Sequence, residues 1–156
     1  MKFKKKSDSD TFFLKEAVKE AKLSEKKGEV PIGAVIVLDN KIIGRGYNQS
    51  ITLNDPSAHA EIIALKSAAK KLKNYRLIGS KIYVTIEPCA MCAGALVWAR
   101  VSEIIFGVYD KKAGACGSIF NIANNKKLNH RIKIKAGVLK KECGSLIKKF
   151  FQKKRK

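Results

Sequence analysis

The sequence contains no long run of apolar residues. A membrane-spanning helix needs about 20 consecutive apolar residues, and the longest apolar run here, Ala90 to Ala99, is roughly half as long. The first residues carry positive charges but lack the apolar stretch that a secretory signal peptide requires. We therefore expect a protein without membrane association, located in the cytoplasm.

Acidic residues and arginine are also scarce. The chain has 13 Asp and Glu against 33 Lys and Arg, a formal net charge of +20, and only five of the basic residues are arginine. A charge of this size favours a polyanionic partner held through phosphate contacts, most readily a nucleic acid. The alternative is a compositional bias toward lysine, isoleucine and asparagine, so the charge alone does not decide the partner.

Cysteine is limited to four residues, Cys89, Cys92, Cys116 and Cys143. Without a secretory signal, disulfide bonds are disfavoured, because the cytoplasm keeps thiols reduced. The cysteines are therefore candidates for metal binding, for thiol chemistry or for the core.

The 156 residues contain no internal repeat and no linker that would separate two domains, so we expect one domain over residues 1–156. Its lysine-rich ends predict a basic tail at about residues 1–8 and a basic helix end at about residues 150–156. The predicted elements are helix 10–27, strands 32–38 and 41–48, a helix capped by Ser57 and reaching residue 73, strand 81–86, helix 89–100, strands 103–108 and 131–135, and helix 142–154.

This alternation of helices and strands predicts an α/β fold with three α/β/α layers around a mixed five-stranded sheet. The first two strands form an antiparallel hairpin, and the later crossovers are expected to be parallel. The second helix is expected to turn an apolar face inward, and the third, apolar nearly all round, is expected to be buried. The predicted inward face of the second helix comprises Ile62, Leu65, Ala69 and Leu72.

Two short motifs each open a predicted helix. "EPCAMC", from Glu87 to Cys92, places Cys89 and Cys92 three residues apart after Pro88, so both sulfurs lie on one face of the first turn. A C-x-x-C pair alone fits a redox pair, half of a structural zinc site or two core cysteines. "HAE", from His59 to Glu61, is uninformative alone, since a histidine in a first helical turn usually binds no metal.

Together the motifs are more specific. If both helices point their N-termini at one place, His59, Cys89 and Cys92 converge, and one nitrogen with two sulfurs suits Zn²⁺. Three protein ligands leave a position for water, which is typical of a catalytic site. Glu61 lies about 200° from His59 on an ideal helix, so it suits a proton carrier better than a ligand. The alternative is a closed structural zinc site whose fourth ligand is Cys116, Cys143 or His130.

The pattern H-x-E followed by P-C-x-x-C is the signature of zinc deaminases. Longer stretches resemble the bacterial tRNA-specific adenosine deaminases over about residues 10–152. The resemblance implies a cytidine-deaminase-like domain and zinc-dependent hydrolytic deamination of adenosine to inosine at wobble position 34 of a tRNA anticodon. It also implies a homodimer with one Zn²⁺ per subunit. The stretches that carry it are "VPIGAVIV", "GYN", "DPSAHAEIIAL", "NYRLIGSKIYVTIEPCAMCAGALVWARV", "IIFGVYDKKAGACGS" and "LNHR".

The resemblance also assigns site residues. It implies that His59, Cys89 and Cys92 are the zinc ligands and that Glu61 is the proton shuttle. Its expected substrate contacts are Asn48 on the flipped adenine, Asp110 in a loop facing the RNA backbone, and Val30 and Tyr109 nearby. The family often has Ala-Arg where this chain has Val108–Tyr109, so a phosphate-facing arginine is replaced by a tyrosine able to stack on a base.

Two other functions remain open from the sequence. One is a zinc deaminase of a free base or nucleotide, such as guanine, cytosine or dCMP, which needs the same metal motif. The large positive charge and the "DKKAGACGS" block favour tRNA instead. The other is a non-catalytic zinc- and RNA-binding subunit. Glu61 argues against it, because non-catalytic partner subunits of enzymes that resemble this chain often lack that glutamate.

Overall fold

Helices and strands alternate along the chain in the order that the sequence predicts. The computed structural model describes residues 2–155, so Met1 and Lys156, which belong to the predicted basic ends, lie outside the described residues. The elements are α1 (Lys6–Lys26), β1 (Gly33–Leu38), β2 (Lys41–Tyr47), α2 (Ala60–Leu72), β3 (Lys81–Ile86), α3 (Ala90–Trp98), β4 (Glu103–Val108), β5 (Lys133–Ala136) and α4 (Lys140–Lys154).

The five strands form one mixed sheet in the order β2-β1-β3-β4-β5. Strand β1 is antiparallel to both β2 and β3, whereas β3, β4 and β5 are parallel to one another. The β1–β2 hairpin turns at Asp39 and Asn40, both with positive φ, the backbone twist that a tight hairpin requires. The predicted mixed five-stranded sheet and its hairpin are confirmed.

Successive side chains along each central strand enter two separate cores, because neighbouring residues of a strand point to opposite faces of the sheet. On β3, Ile82 and Val84 pack in the core under α2 and α3, whereas Tyr83 packs on the opposite face under α1. Residues on both faces of the central strands are buried, which explains their nearly continuous apolar sequence. The helices on the two faces complete the predicted three α/β/α layers.

Helix α2 packs against β2 through residues without bulky side chains. A Cβ added at Gly46 would lie 2.6 Å from the backbone nitrogen of Ala64, and one at Gly44 would lie 2.8 Å from that of Ala68. Ala60, Ala64 and Ala68 are spaced one turn apart and are fully buried. Glycines in the strand and alanines in the helix therefore let the two backbones approach closely.

This packing corrects the predicted inward face of α2. Of that face only Leu65 is buried, whereas Leu72 is exposed and Ile62 and Ala69 are half-buried. The helix turns its alanines inward because β2 presents glycine backbone, which leaves no room for larger side chains.

Two further expectations differ from the structure. Helix α1 begins at Lys6, so part of the segment expected to be a basic tail is helical, and the ring of Phe3 packs 5.6 Å from that of Phe12. Helix α3 is not buried all round, because Met91 and Trp98 are exposed on one side. None of the helices within residues 2–155 is long and apolar enough to cross a membrane.

Candidate active site

His59 and Cys89 occupy equivalent places, each immediately before the first residue of a helix. Both have extended backbone, with ψ of 154° at His59 and 177° at Cys89. Ser57 was the expected cap of α2, but its hydroxyl donates to Asp55 Oδ1 at 2.7 Å instead. The side chains meet between the helix N-termini, where His59 Nδ1 lies 3.6 Å from Cys89 Sγ and 3.5 Å from Cys92 Sγ. The predicted convergence of the three residues is confirmed.

These distances fit a tetrahedral zinc ion. Zn–S bonds of about 2.3 Å and Zn–N bonds of about 2.0 Å, at a tetrahedral angle, separate sulfur from nitrogen by about 3.5 Å. The three ligand atoms all lie within 4.8 Å of one another, and Cys92 is buried whereas His59 and Cys89 are half-buried. The set therefore has the spacing of zinc ligands and remains open toward the surface on one side.

The structure does not support the closed four-ligand alternative. Within residues 2–155, the one group of three or more His, Cys, Asp or Glu side chains spaced to hold a metal ion is His59, Cys89 and Cys92, and Cys116 does not belong to it. His130 Nε2 is instead 2.8 Å from the carbonyl oxygen of Val101. Cys143 lies in the core beneath α1, on the other face of the sheet. With three protein ligands, the arrangement is that of a catalytic rather than a structural zinc site.

Cys89 is the ligand whose thiolate form the site favours before any cation binds. Hydrogen bonds from Cys92 and His59 lower the pKa of the Cys89 thiol to about 4. The pKa of Cys92 lies far above its ordinary value because Cys92 donates to Cys89 and is buried. The same contact with Cys89 raises the pKa of His59. A thiolate is thus held where a metal cation is needed.

Glu61, in the first turn of α2, is only 3% exposed. Burial raises the pKa of its carboxyl to about 7, and Cys89, His59 and Cys92 all influence that pKa because they lie close by. The expected angle of about 200° between His59 and Glu61 is wrong, since His59 lies outside the helix. The extended backbone at His59 lets both side chains reach one place.

The expected substrate-contacting residues lie in two places. Val30, Tyr109 and Asp110 line a groove of about 740 Å³ that the end of α4 also borders. Asn48 follows β2 and is buried, and its Oδ1 accepts a hydrogen bond from the Ser50 hydroxyl at 3.3 Å. The structure therefore gathers three of the four expected substrate contacts in one groove.

Asp110 also forms hydrogen bonds within its own loop. Its Oδ1 accepts hydrogen bonds from the backbone N–H groups of Lys112 and Ala113, at 3.0 and 3.2 Å. The carboxylate thus closes a turn in its own loop, as aspartate commonly does, while the turn stands at the edge of the groove.

Sequence reasoning missed two buried carboxylates beside the site. Glu29, just before Val30, accepts hydrogen bonds from the backbone and hydroxyl of Thr52 at 2.6 and 2.7 Å. Glu87, two residues before Cys89, accepts hydrogen bonds from the loop that contains Asp110. Glutamates are mostly exposed, so their only signal was their place next to site residues.

Comparison with known proteins identifies the family. Residues 7–108 match the model of the cytidine and deoxycytidylate deaminase zinc-binding region. The tRNA-specific adenosine deaminase of Haemophilus influenzae is 47% identical over 153 residues, covering 97% of this chain and 88% of the relative. That of Bacillus subtilis is 46% identical, covering 94% and 91%. The chain belongs to the tRNA-specific adenosine deaminase family.

Two solved structures with 38% and 41% identity differ in how much of this fold they share. A structure from work on A-to-I editing by tRNA A34 deaminases has a TM-score of 0.84 and 38% identity, covering 87% of this deaminase chain and 99% of the other. Guanine deaminase from Bacillus subtilis has 41% identity but a TM-score of 0.62, covering 69% of each chain. The likeness to the tRNA deaminase extends over more of the fold, including the predicted three-layer arrangement.

Proposed function

We propose that this protein hydrolyses adenosine to inosine at the wobble position of a tRNA anticodon and releases ammonia. The observation that carries the proposal is the His59, Cys89 and Cys92 ligand set with the buried carboxylate of Glu61 beside it. Membership of the tRNA-specific adenosine deaminase family supports the choice of adenosine and tRNA over a free base.

The residues of the site divide the chemistry between them. When bound by His59, Cys89 and Cys92, Zn²⁺ supplies the Lewis acidity that makes water a nucleophile at neutral pH. Glu61 accepts the proton of the attacking water and delivers it to N1 of the adenine, which makes C6 more electrophilic. The same carboxylate then takes the proton of the hydroxyl group now on C6 and carries it to the C6 amino group, which leaves as ammonia while C6 becomes a carbonyl.

The target base has to leave its stack to reach the ligand set. An anticodon loop presents unpaired bases, so this extrusion is less costly there than in a duplex. We assign Asn48 to the hydrogen-bonding edge of the adenine. The groove lined by Val30, Tyr109 and Asp110 is assigned to the flanking nucleotides, with Tyr109 available for stacking because its ring is exposed.

Positive charge surrounds the same groove. Lys111 and Lys112 line it on the loop side, and Lys154 and Arg155 line it at the end of α4. These side chains offer phosphate contacts where the usual family arginine is replaced by Tyr109. Because its substrate is a tRNA, we also propose that the protein acts in the cytoplasm.

The decisive experiment is sequencing of total tRNA after incubation with the zinc-loaded protein. We expect A-to-G changes at position 34, with ammonia released in equal amount. Parallel reactions with guanine, cytosine, dCMP and free adenosine serve as controls. Ammonia from a free base or nucleotide without inosine in tRNA would contradict the proposal and support the alternative deaminase. Binding of tRNA without any ammonia would support the non-catalytic subunit.

We further propose a homodimer, as the family resemblance implies. Trp98 is 74% exposed on α3, and Met91 and Tyr75 are also exposed. Trp98 and Tyr75 border an apolar groove of about 400 Å³ formed with α2. Exposed apolar patches of this kind mark interaction surfaces, and the occupant that we assign is a second copy of the chain.

Light scattering after size-exclusion chromatography tests the dimer. The wild-type protein should have twice the chain mass, and Trp98→Glu should shift it toward the monomer. Leu23→Glu is the matched control, because Leu23 is another exposed apolar residue but lies on α1 at the opposite face of the sheet. A monomeric wild-type protein would contradict the proposed dimer.

A further inference from the structure

The segment from Tyr109 to Phe120, here called the site loop, packs directly against the metal-binding segment. Gly114 pairs with Cys89 in an isolated antiparallel bridge. The N–H of Ala115 donates to the carbonyl oxygen of Pro88 at 2.8 Å. The same loop contributes Tyr109 to the substrate groove. The position of Tyr109, and of the groove wall to which it belongs, relative to the metal ligands therefore depends on how this loop is held.

One buried carboxylate holds the site loop at both ends. Glu87 Oε1 accepts hydrogen bonds from the backbone N–H of Asp110 at 2.9 Å and from the Ser118 hydroxyl. Glu87 Oε2 accepts from the backbone N–H groups of Cys116 at 2.8 Å and Ser118 at 3.1 Å. All four donors belong to the loop, and Glu87 is only 2% exposed.

Gly114 shows how closely the loop surrounds this carboxylate. A Cβ added at Gly114 would lie 2.5 Å from Glu87 Oε2 and nearer still to Oε1, so any larger residue there would displace the carboxylate from its hydrogen bonds. A buried carboxylate is costly unless hydrogen bonds satisfy it. Removal of the acceptor would leave buried N–H groups unpaired, which is also costly. The loop and Glu87 are therefore each dependent on the other.

We propose that Glu87 is a positioning residue for the deamination. Its carboxylate joins the two ends of the site loop and seats the loop on the segment that contains Cys89. In this way it sets the distance between the groove wall and the metal site, without contacting substrate itself. The substrate part of this inference rests on the proposed function, whereas the hold of Glu87 on the loop does not.

Glu87→Gln is the central variant because it keeps the shape of the side chain. An amide nitrogen cannot accept hydrogen bonds, so two of the four hydrogen bonds are lost. The amide NH₂ group of the glutamine then faces hydrogen-bond donors of the site loop. Ser118→Ala is a milder variant that removes only the hydroxyl donor. Glu103→Gln is the matched control, because Glu103 is a buried carboxylate at the other end of β4, paired with Lys6 and Lys81.

Hydrogen–deuterium exchange and steady-state kinetics on the zinc-loaded proteins test the proposal. Glu87→Gln should raise exchange about tenfold or more in peptides covering the site loop while β3 and β4 keep wild-type protection. It should lower kcat/KM for a tRNA anticodon stem-loop by about 10–100-fold, as loss of a supporting hydrogen-bond partner does at other metal sites. Ser118→Ala should show smaller changes in the same direction. Glu103→Gln should leave loop exchange and kcat/KM unchanged.

Two results would overturn the proposal. One is a Glu87→Gln protein that is less stable than wild type but has wild-type loop exchange and kcat/KM, since Glu87 would then serve stability alone. The other is increased loop exchange with unchanged kcat/KM. If Glu87→Gln does not fold, the same criteria apply to Ser118→Ala. If the wild-type protein forms no inosine, the proposed function fails, and loop exchange still tests the hold of Glu87 on the loop.

Discussion

The close contact between β2 and α2 makes Gly46→Ala a direct test of how the fold positions the site. The added methyl group would lie 2.6 Å from the backbone nitrogen of Ala64 and nearer still to the carbonyl oxygen of Ala60. Both are backbone atoms of α2, so no side-chain rotation relieves the overlap. Ordinary van der Waals contact begins at 3.4 Å, and α2 would therefore have to move away by about 1 Å.

A movement of this size has consequences for stability and for catalysis. Overpacking a core contact costs about 1–3 kcal/mol, which lowers the Tm of a chain of this length by roughly 2–4 °C per kcal/mol. Helix α2 also contains Glu61 and begins just after His59. A misplacement of about 1 Å can reduce activity about a hundredfold, so we expect kcat/KM to fall by that order in the folded protein.

Urea unfolding, zinc content and deamination of an anticodon stem-loop together measure these effects. The activity is measured at a temperature where the variant is fully folded, so that loss of fold is not counted as loss of catalysis. Gly144→Ala is the matched control. Gly144 lies inside α4, and a Cβ added there would contact only Val108 Cγ1, at 3.4 Å. We expect that variant to be as stable as wild type or up to about 1 kcal/mol more stable, with unchanged activity.

Two outcomes would refute this reasoning. Wild-type stability in Gly46→Ala would show that β2 and α2 do not approach as closely as the structure places them. Lower stability with wild-type kcat/KM in the folded protein would show that the placement of α2 does not control the geometry of the site.

Four further predictions follow from the site and the charge. Glu61→Gln should retain zinc, measured by atomic absorption, but lower kcat by about 10²–10⁴-fold; near-normal turnover would contradict its role. A chelator should lower the thermal midpoint and Zn²⁺ should restore it, because an ion bound only by the folded chain stabilises it; an unchanged midpoint would argue against the ligand set. Burial raises the pKa of Glu29, but hydrogen bonds from Thr52 and Ile51 leave it below its ordinary 4.5. The ionised carboxylate of Glu29 therefore stabilises the fold above that value, and this contribution is lost as pH falls through the lowered pKa of the folded protein. Between about pH 6 and pH 3, the urea midpoint should fall less in Glu29→Gln than in wild type, and an equal fall in both proteins would refute this. Affinity for tRNA should fall steeply between about 50 and 300 mM salt, and salt-independent binding would show that the charge of +20 is compositional.

Local patterns predicted the elements well because each pattern depends on neighbours in sequence. Strand alternation, the apolar run of α3 and the hairpin signal at Asp39 and Asn40 identified the order of elements and the mixed sheet. Boundaries were less accurate. Ser57 resembled a helix cap but bonds Asp55, and α2 begins after His59 instead. A serine hydroxyl near an aspartate can bind either the carboxylate or the free N–H groups of a helix N-terminus. The sequence alone does not show which of these hydrogen bonds is more stable.

The inward face of α2 could not be predicted from the sequence, for a different reason. Periodicity favoured its large apolar residues, among them Ile62 and Leu72, yet the buried stripe consists of alanines. The choice depends on Gly44 and Gly46, which lie on a strand that precedes the helix by more than ten residues. Which face is buried is therefore decided by the shape of the surface that the helix meets.

The alternation of helices and strands, the family and the three residues that are positioned to bind a metal ion could be predicted from the sequence, since they follow from residue types in recognisable patterns. The tertiary structure alone decided that His59 Nδ1 stands 3.5–3.6 Å from two sulfurs and that Glu61 lies buried beside them. It also decided that Glu87 holds the site loop by hydrogen bonds to residues 23–31 positions away. Separations of this kind come from the packing of distant segments, and no local pattern encodes them.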